Sequence, residues 1–192
     1  MELFNHLTIK NNNGVSLIEM LAAVTVFVIT VGAISGIFIS AIRSQRRILA
    51  TQELLDQTSY VLEYMGRALR MAKKDSSSPP ICLTTCGSGC NYENPGGDIS
   101  KIRFIDYNDV CTEYFLDPVT GQLKKTAGGT TSELTSTKLY VNSLRFRIWG
   151  EDQNDFYQPR VTIFLEISGR ETIGRPKIQI QTSISQRPLD IR

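Results

Sequence analysis

The chain has 192 residues, a formal net charge of +2, one histidine and four cysteines. So small a positive excess does not by itself argue for nucleic-acid binding. A lone histidine, His6, gives little support to a His-based triad, to acid–base catalysis or to a histidine metal site.

A short polar leader ends at Gly14 and runs into Val15-Ser16-Leu17-Ile18-Glu19-Met20-Leu21. From Met20 to Ile42 no charge interrupts the sequence. At ~1.5 Å per residue that stretch spans roughly 35 Å, enough for the hydrocarbon core of a bilayer, and it predicts a transmembrane helix. Glu19 stands out in this setting, because an ionised carboxylate in lipid is costly unless it is paired or neutralised.

Gly14, Val15 and Glu19 at this spacing resemble the prepilin family, the subunits of type IV pili, type II secretion pseudopili and competence pili. The resemblance implies removal of the 1–14 leader by a prepilin peptidase on the cytoplasmic face and N-methylation of the new amino terminus at Val15. It makes Glu19 the fifth mature residue and Lys10 the basic residue of the leader. Cleavage would also discard His6. Val15 departs from the phenylalanine or methionine usual at the first mature position, and Ser16 replaces the common threonine. The partners implied are the peptidase, other pilins or pseudopilins docked through the N-terminal helix, an inner-membrane assembly platform and the lipid bilayer. DNA joins them only if the assembly is a competence pilus.

Physical chemistry gives the spacing a role. In a filament, Glu19 of one subunit can pair with the ammonium group of a neighbour's Val15, so that two lipid-buried charges offset each other and favour one stagger. The alternative places Glu19 among lipid headgroups. Gly32 and Gly36 form a small-xxx-small pattern that permits close helix approach, or reflect ordinary transmembrane composition. Major pilins usually carry a proline inside this helix. Here none occurs before Pro79, which leans towards a minor pilin or pseudopilin. A secretory signal would have a shorter apolar region followed by a small-residue cleavage site. A lipoprotein signal is excluded, since the first cysteine is Cys82. Arg43, Arg46 and Arg47 beyond the span rival Lys10 before it, so charge bias leaves the orientation open. The resemblance implies a cytoplasmic leader and an external head.

Beyond Ile42, the residues Ile48, Leu55, Leu62 and Leu69 recur at seven-residue spacing, with Leu54, Val61, Met65 and Ala72 beside them. This predicts one long helix from near Ser16 to near Lys74, with 15–42 in lipid and an amphipathic half over 43–75, ending before Ser76-Ser77-Ser78-Pro79-Pro80. Packing on the chain's own sheet or on a coiled-coil partner would both use the stripe. A Cys/Pro/Gly-rich loop follows over 76–98.

From Ile99 the period changes to two. Ile99 to Tyr107 and Val110 to Leu116 form one strand pair about Asn108-Asp109, and Asp117-Pro118-Val119-Thr120-Gly121 turns into a short strand near Leu123. Leu144, Phe146 and Ile148, then Val161, Ile163, Leu165 and Ile167, then Ile178, Ile180 and Ile184 alternate with polar neighbours as half-buried strands. The expected fold is α+β and pilin-like, a long N-terminal helix on an antiparallel sheet spanning 99–187, with a tail at 188–192. Val141 to Phe146, the strand from Arg160, and Ile180 to Arg187 resemble PilW-like minor pilins and J-type secretion pseudopilins.

Cys82, Cys86, Cys90 and Cys111 all follow the span. On the external side that the resemblance implies, an even count suggests two disulfides, with three connectivities open and Cys111 as the strand anchor of one bridge. Zinc is the rival, although the gaps fit poorly with paired metal-ligand spacing. The run Glu151-Asp152-Gln153-Asn154-Asp155 reads as a solvated turn or a calcium loop without recognisable spacing. Lys124, Lys125, Arg145 and Arg147 read as ordinary strand-face charges unless they converge. The expectation is a structural subunit with no catalytic residues, no cofactor and no metal. Its alternatives are a J-type secretion pseudopilin specifically, a competence-pilus subunit, and a membrane-anchored adhesin or binding module.

Overall fold

The computed structural model describes residues 14–86, 89–150, 157–170 and 176–187. Lys10, His6 and the rest of the leader before Gly14 lie outside the described residues, as do the acidic run Glu151-Asp152-Gln153-Asn154-Asp155 and the tail 188–192. The chain divides into two compact units, Met1–Gln45 and Arg46–Arg192.

In the first unit helix α1, Leu17–Arg70, begins and continues into the second. The Ser16 carbonyl accepts the Glu19 and Met20 amides at 3.0 and 3.2 Å, which closes the first turn. Every residue from Gly14 to Ala41 is exposed, and the segment is long and apolar enough to cross a membrane. The Thr25 and Thr30 hydroxyls each donate at 2.8 Å to the carbonyls of Ala22 and Phe27. These two polar side chains are thereby satisfied within the helix, as an apolar solvent demands.

The second unit is α+β. The later turns of α1 pack on antiparallel strands that form two sheets rather than the single sheet expected from sequence. Strands β1 (Lys101–Ile105), β2 (Cys111–Asp117), β3 (Gln122–Ala127) and β4 (Thr130–Glu133) follow one another as a meander. Strands β5 (Leu139–Trp149), β6 (Arg160–Gly169) and β7 (Lys177–Ser185) form the second sheet, with a register shift between Val141 and Ser143. The Phe146 amide donates to the Ile99 carbonyl at 2.7 Å and the Val141 amide to the Gly121 carbonyl at 2.8 Å, so β5 is stitched to the first meander at two points. Strand β4 had no sequence forecast.

Leu54, Val61, Met65 and Leu69 of α1 join Phe104, Tyr114, Phe146 and Ile163 in one buried cluster. Thr58 fits on the same face because its hydroxyl donates to the Leu54 carbonyl at 2.6 Å. The seven-residue row joins the core only at its far end, with Leu69 buried and Leu62 packed against the cluster, while Ile48 and Leu55 are 54% and 42% exposed. A strict seven-residue row drifts by about 20° per heptad around a straight helix, whereas spacings of three and four keep Leu54, Thr58, Val61, Met65 and Leu69 on the core.

The helix ends at Arg70, short of the expected Lys74, because tertiary partners take its terminal carbonyls. The Tyr92 hydroxyl donates to the Leu69 carbonyl at 2.6 Å, the Arg187 amide to that of Arg70 at 2.7 Å, and Gln186 Nε2 to that of Ala72 at 2.7 Å. The Lys73 amide then bonds the Ile105 carbonyl at 2.9 Å, which draws the chain onto the edge of β1.

Candidate functional site

Gly14 and Val15 lie in exposed, non-helical backbone immediately before α1. Glu19 occupies the first helical turn, where the partial positive charge of the helix start favours a carboxylate. Its side chain makes no hydrogen bond or ion pair among the described residues. A methyl group added at Gly32 or Gly36 would meet nothing within 4 Å, so both glycines present open backbone. The segment therefore offers an accessible chain stretch at Gly14 and Val15, one unpartnered acid and an uncovered apolar helix.

The cysteines resolve the connectivity that sequence left open. Cys82 pairs with Cys111 at an S–S distance of 2.04 Å, and Cys86 pairs with Cys90. Cys111 does anchor one bridge, tying the 76–98 loop to the start of β2. With all four thiols joined, none remains as a thiolate for zinc. No cluster of three or more potential metal ligands occurs among the described residues.

Asp75 organises the same loop, and sequence reasoning passed over it. It is buried, with its Oδ2 accepting the amides of Cys82 and Leu83 at 2.9 and 3.0 Å and its Oδ1 accepting the Ser77 amide and hydroxyl. Burial alone would raise its pKa, but the hydrogen bonds from Ser77, Leu83 and Cys82 together outweigh it and lower the value to about 2. Glu93, also buried, accepts from the Thr85 amide at 2.7 Å and from Arg103 at 3.0 Å, while Arg103 also reaches Glu113 at 2.7 Å. A segment with few apolar residues is thus held by two disulfides and two buried carboxylates.

The strand-face charges separate into two groups. Lys124 pairs with Asp117 at 2.7 Å, and the hydrogen bond from Lys124 holds the Asp117 carboxyl well below the ordinary carboxylate range. Lys125 donates to the Tyr64 hydroxyl at 3.1 Å. Arg145 and Arg147 are exposed and have no partner among the described residues. They share the outer face of β5 with Trp149, which the sequence reading did not single out. The Arg160 guanidinium stands 5.7 Å from the Trp149 ring centre, and Tyr157 meets the same ring edge-on at 6.1 Å. No protein-family model, curated protein or solved structure matches the chain.

Proposed function

We propose that this chain is a prepilin, cleaved after Gly14, N-methylated at Val15 and built into a type IV pilus-like filament as a minor pilin or pseudopilin. The observation that carries the proposal is the conjunction of Gly14, Val15 and Glu19 at the entrance to a long apolar helix. That helix starts at Leu17, so the cleavage position falls in accessible backbone just ahead of it. Glu19 lies without a partner on a surface that is otherwise apolar. A monomer stored in a membrane would gain from supplying that acid with a cation, and a neighbour's Val15 ammonium is a cation of the right kind.

On this reading the chain is a pilin-like structural subunit and catalyses nothing. The leader faces the cytoplasm, the head lies outside the inner membrane, and the peptidase, the assembly platform and sister subunits are the partners. The paired cysteines suit an oxidising exterior. Intact mass and amino-terminal sequencing of protein recovered from membranes that contain prepilin peptidase test the proposal directly. An N-methyl-Val15 terminus supports it, and an uncut terminus opposes it.

A further inference from the structure

The outer face of the β5-β6-β7 sheet gathers arginines, aromatic rings and amides. Alternation along the strands places Arg145, Arg147 and Trp149 of β5 on this face, with Arg160 and Phe164 of β6 and Gln179 and Gln181 of β7. The register puts Phe164 between Arg145 and Gln181, and Arg160 directly beside Trp149. A groove of about 720 Å³ runs across the face, and Arg145, Arg147, Phe164, Gln179 and Gln181 are among the residues that line it.

Among the described residues its charge is one-sided. There Arg145, Arg147, Arg160 and Lys177 stand against a single carboxylate, Glu166, which Lys177 already neutralises at 2.8 Å. The two guanidinium groups of Arg145 and Arg147 have no protein partner among the described residues. They project from alternate positions of one strand, roughly 7 Å apart along it. Trp149 is 54% exposed, with a cation stacked on it. The whole chain's charge of +2 conceals this concentration, because the remaining residues carry slightly more acid than base.

We infer that this face binds single-stranded nucleic acid, with phosphates held by Arg145 and Arg147 and bases stacked on Trp149 and Phe164. Phe164 lines the groove and Trp149 stands on the same face beyond its lining, so arginines alternate with accessible rings. That combination tracks a single strand, since every base has a face to stack and every linkage a charge to neutralise. The Gln179 and Gln181 amides can donate and accept at exposed base edges. A duplex hides its base faces and would leave Trp149 and Phe164 unused. An anionic membrane surface would use the arginines and Trp149 but not the Gln179 and Gln181 amides or Phe164, which is half-buried in the groove. The inference concerns the head alone and stands or falls separately from leader cleavage.

The test uses the full chain in nanodiscs of zwitterionic phosphatidylcholine, titrated with a fluorescently labelled oligothymidylate about 20 nucleotides long, which exceeds the ~4–16 nucleotide sites of comparable surfaces. Trp149, the one tryptophan, reports contact through its own fluorescence, and anisotropy of the oligonucleotide reports affinity. Saturable quenching is expected, with tighter binding of the single strand than of a duplex of the same length. R145E/R147E should weaken binding by more than about tenfold, because two phosphate contacts become repulsions. The milder R145Q/R147Q should flatten the salt dependence by roughly 1.4 in log–log slope. W149A should cost about tenfold and W149F much less, since stacking survives the second change. Absence of binding, equal binding by R145E/R147E, or equal binding of the duplex would overturn the inference, the last reducing the face to a general polyanion surface. Capture by phosphatidylglycerol vesicles without oligothymidylate binding would also overturn it, in favour of a membrane contact.

Discussion

The Asp75 carboxylate accepts the backbone amide of Leu83 at 3.0 Å, across eight residues of a loop with little apolar content. The neighbouring amides of Cys82 and Ser77 converge on the same carboxylate at 2.9 and 3.2 Å. One side chain thus substitutes for the packing that this segment lacks. Asp75→Asn keeps the shape but puts an NH₂ group where an acceptor is required, leaving amide donors buried and unpaired. The expected loss of head stability is about 2–3 kcal/mol, read from chemical denaturation of the purified chain.

The same geometry sets a pH dependence. Asp75 has a folded pKa near 2 against an ordinary value of 3.8, so its contribution is present in full above the unfolded value. It fades as pH falls through about 4 towards 2, where the folded carboxyl also takes up a proton. One pKa unit corresponds to about 1.4 kcal/mol, so the whole effect is on the order of 2 kcal/mol. Denaturation midpoints measured from pH 5 down to pH 2 should therefore fall more steeply for the natural chain than for Asp75→Asn.

The two disulfides should differ in weight. The Cys82–Cys111 bridge spans a sequence separation of 29 and the Cys86–Cys90 bridge only 4. Loop-closure entropy assigns the longer loop about 3.6 kcal/mol and the shorter about 2. C82S/C111S should accordingly destabilise the head by more than C86S/C90S, and equal losses would show that the short bridge does more than close its loop.

Gly121 follows the Asp117 turn with φ at +65°, and a β-carbon there would fall 2.2 Å from the Tyr140 ring. Its carbonyl also receives the Val141 amide, one of the two links that join β5 to the first meander. Gly121→Ala should cost about 2 kcal/mol from backbone strain and ring displacement together, measurable as a lower denaturation midpoint.

The sequence made some of this legible and concealed the rest for physical reasons. Strands β5, β6 and β7 announced themselves because each turns one face inward, fully on β5 and β6 and partly on β7, which imposes a period of two on their side chains. Strand β4, Thr-Thr-Ser-Glu, is exposed throughout and carries no such period. The apolar stripe was legible, since Leu54, Val61, Met65, Leu69 and Ala72 are all buried, but the members at seven-residue spacing nearer the membrane half, Ile48 and Leu55, drift off a straight helix's contact line. Thr58, a polar residue within that stripe, is buried because its hydroxyl bonds the preceding turn, a compensation that composition alone does not display. The Cys82–Cys111 and Cys86–Cys90 pairings were beyond reach, since spacing cannot decide among connectivities. Arg145 and Arg147 were visible as strand-face charges, but their convergence with Trp149, Arg160 and Phe164 depends on strand register, which local sequence does not encode.

If Glu19 meets a neighbour's Val15 in a filament, Glu19→Ala should be cleaved and retained in the membrane yet poorly assembled. Removing one partner of a buried ion pair costs about 3–5 kcal/mol, so recovery in sheared filaments should drop by more than about tenfold while membrane levels hold. Unchanged filament recovery would remove Glu19 from the assembly step.

If Val15 begins the mature protein, intact mass and amino-terminal sequencing of the chain from membranes with active prepilin peptidase will find N-methyl-Val15. A peptidase-deficient control will retain the residues up to Gly14. Retention of those residues in both samples would refute cleavage, and would leave a chain with an apolar helix and a disulfide-bonded head outside the pilin class.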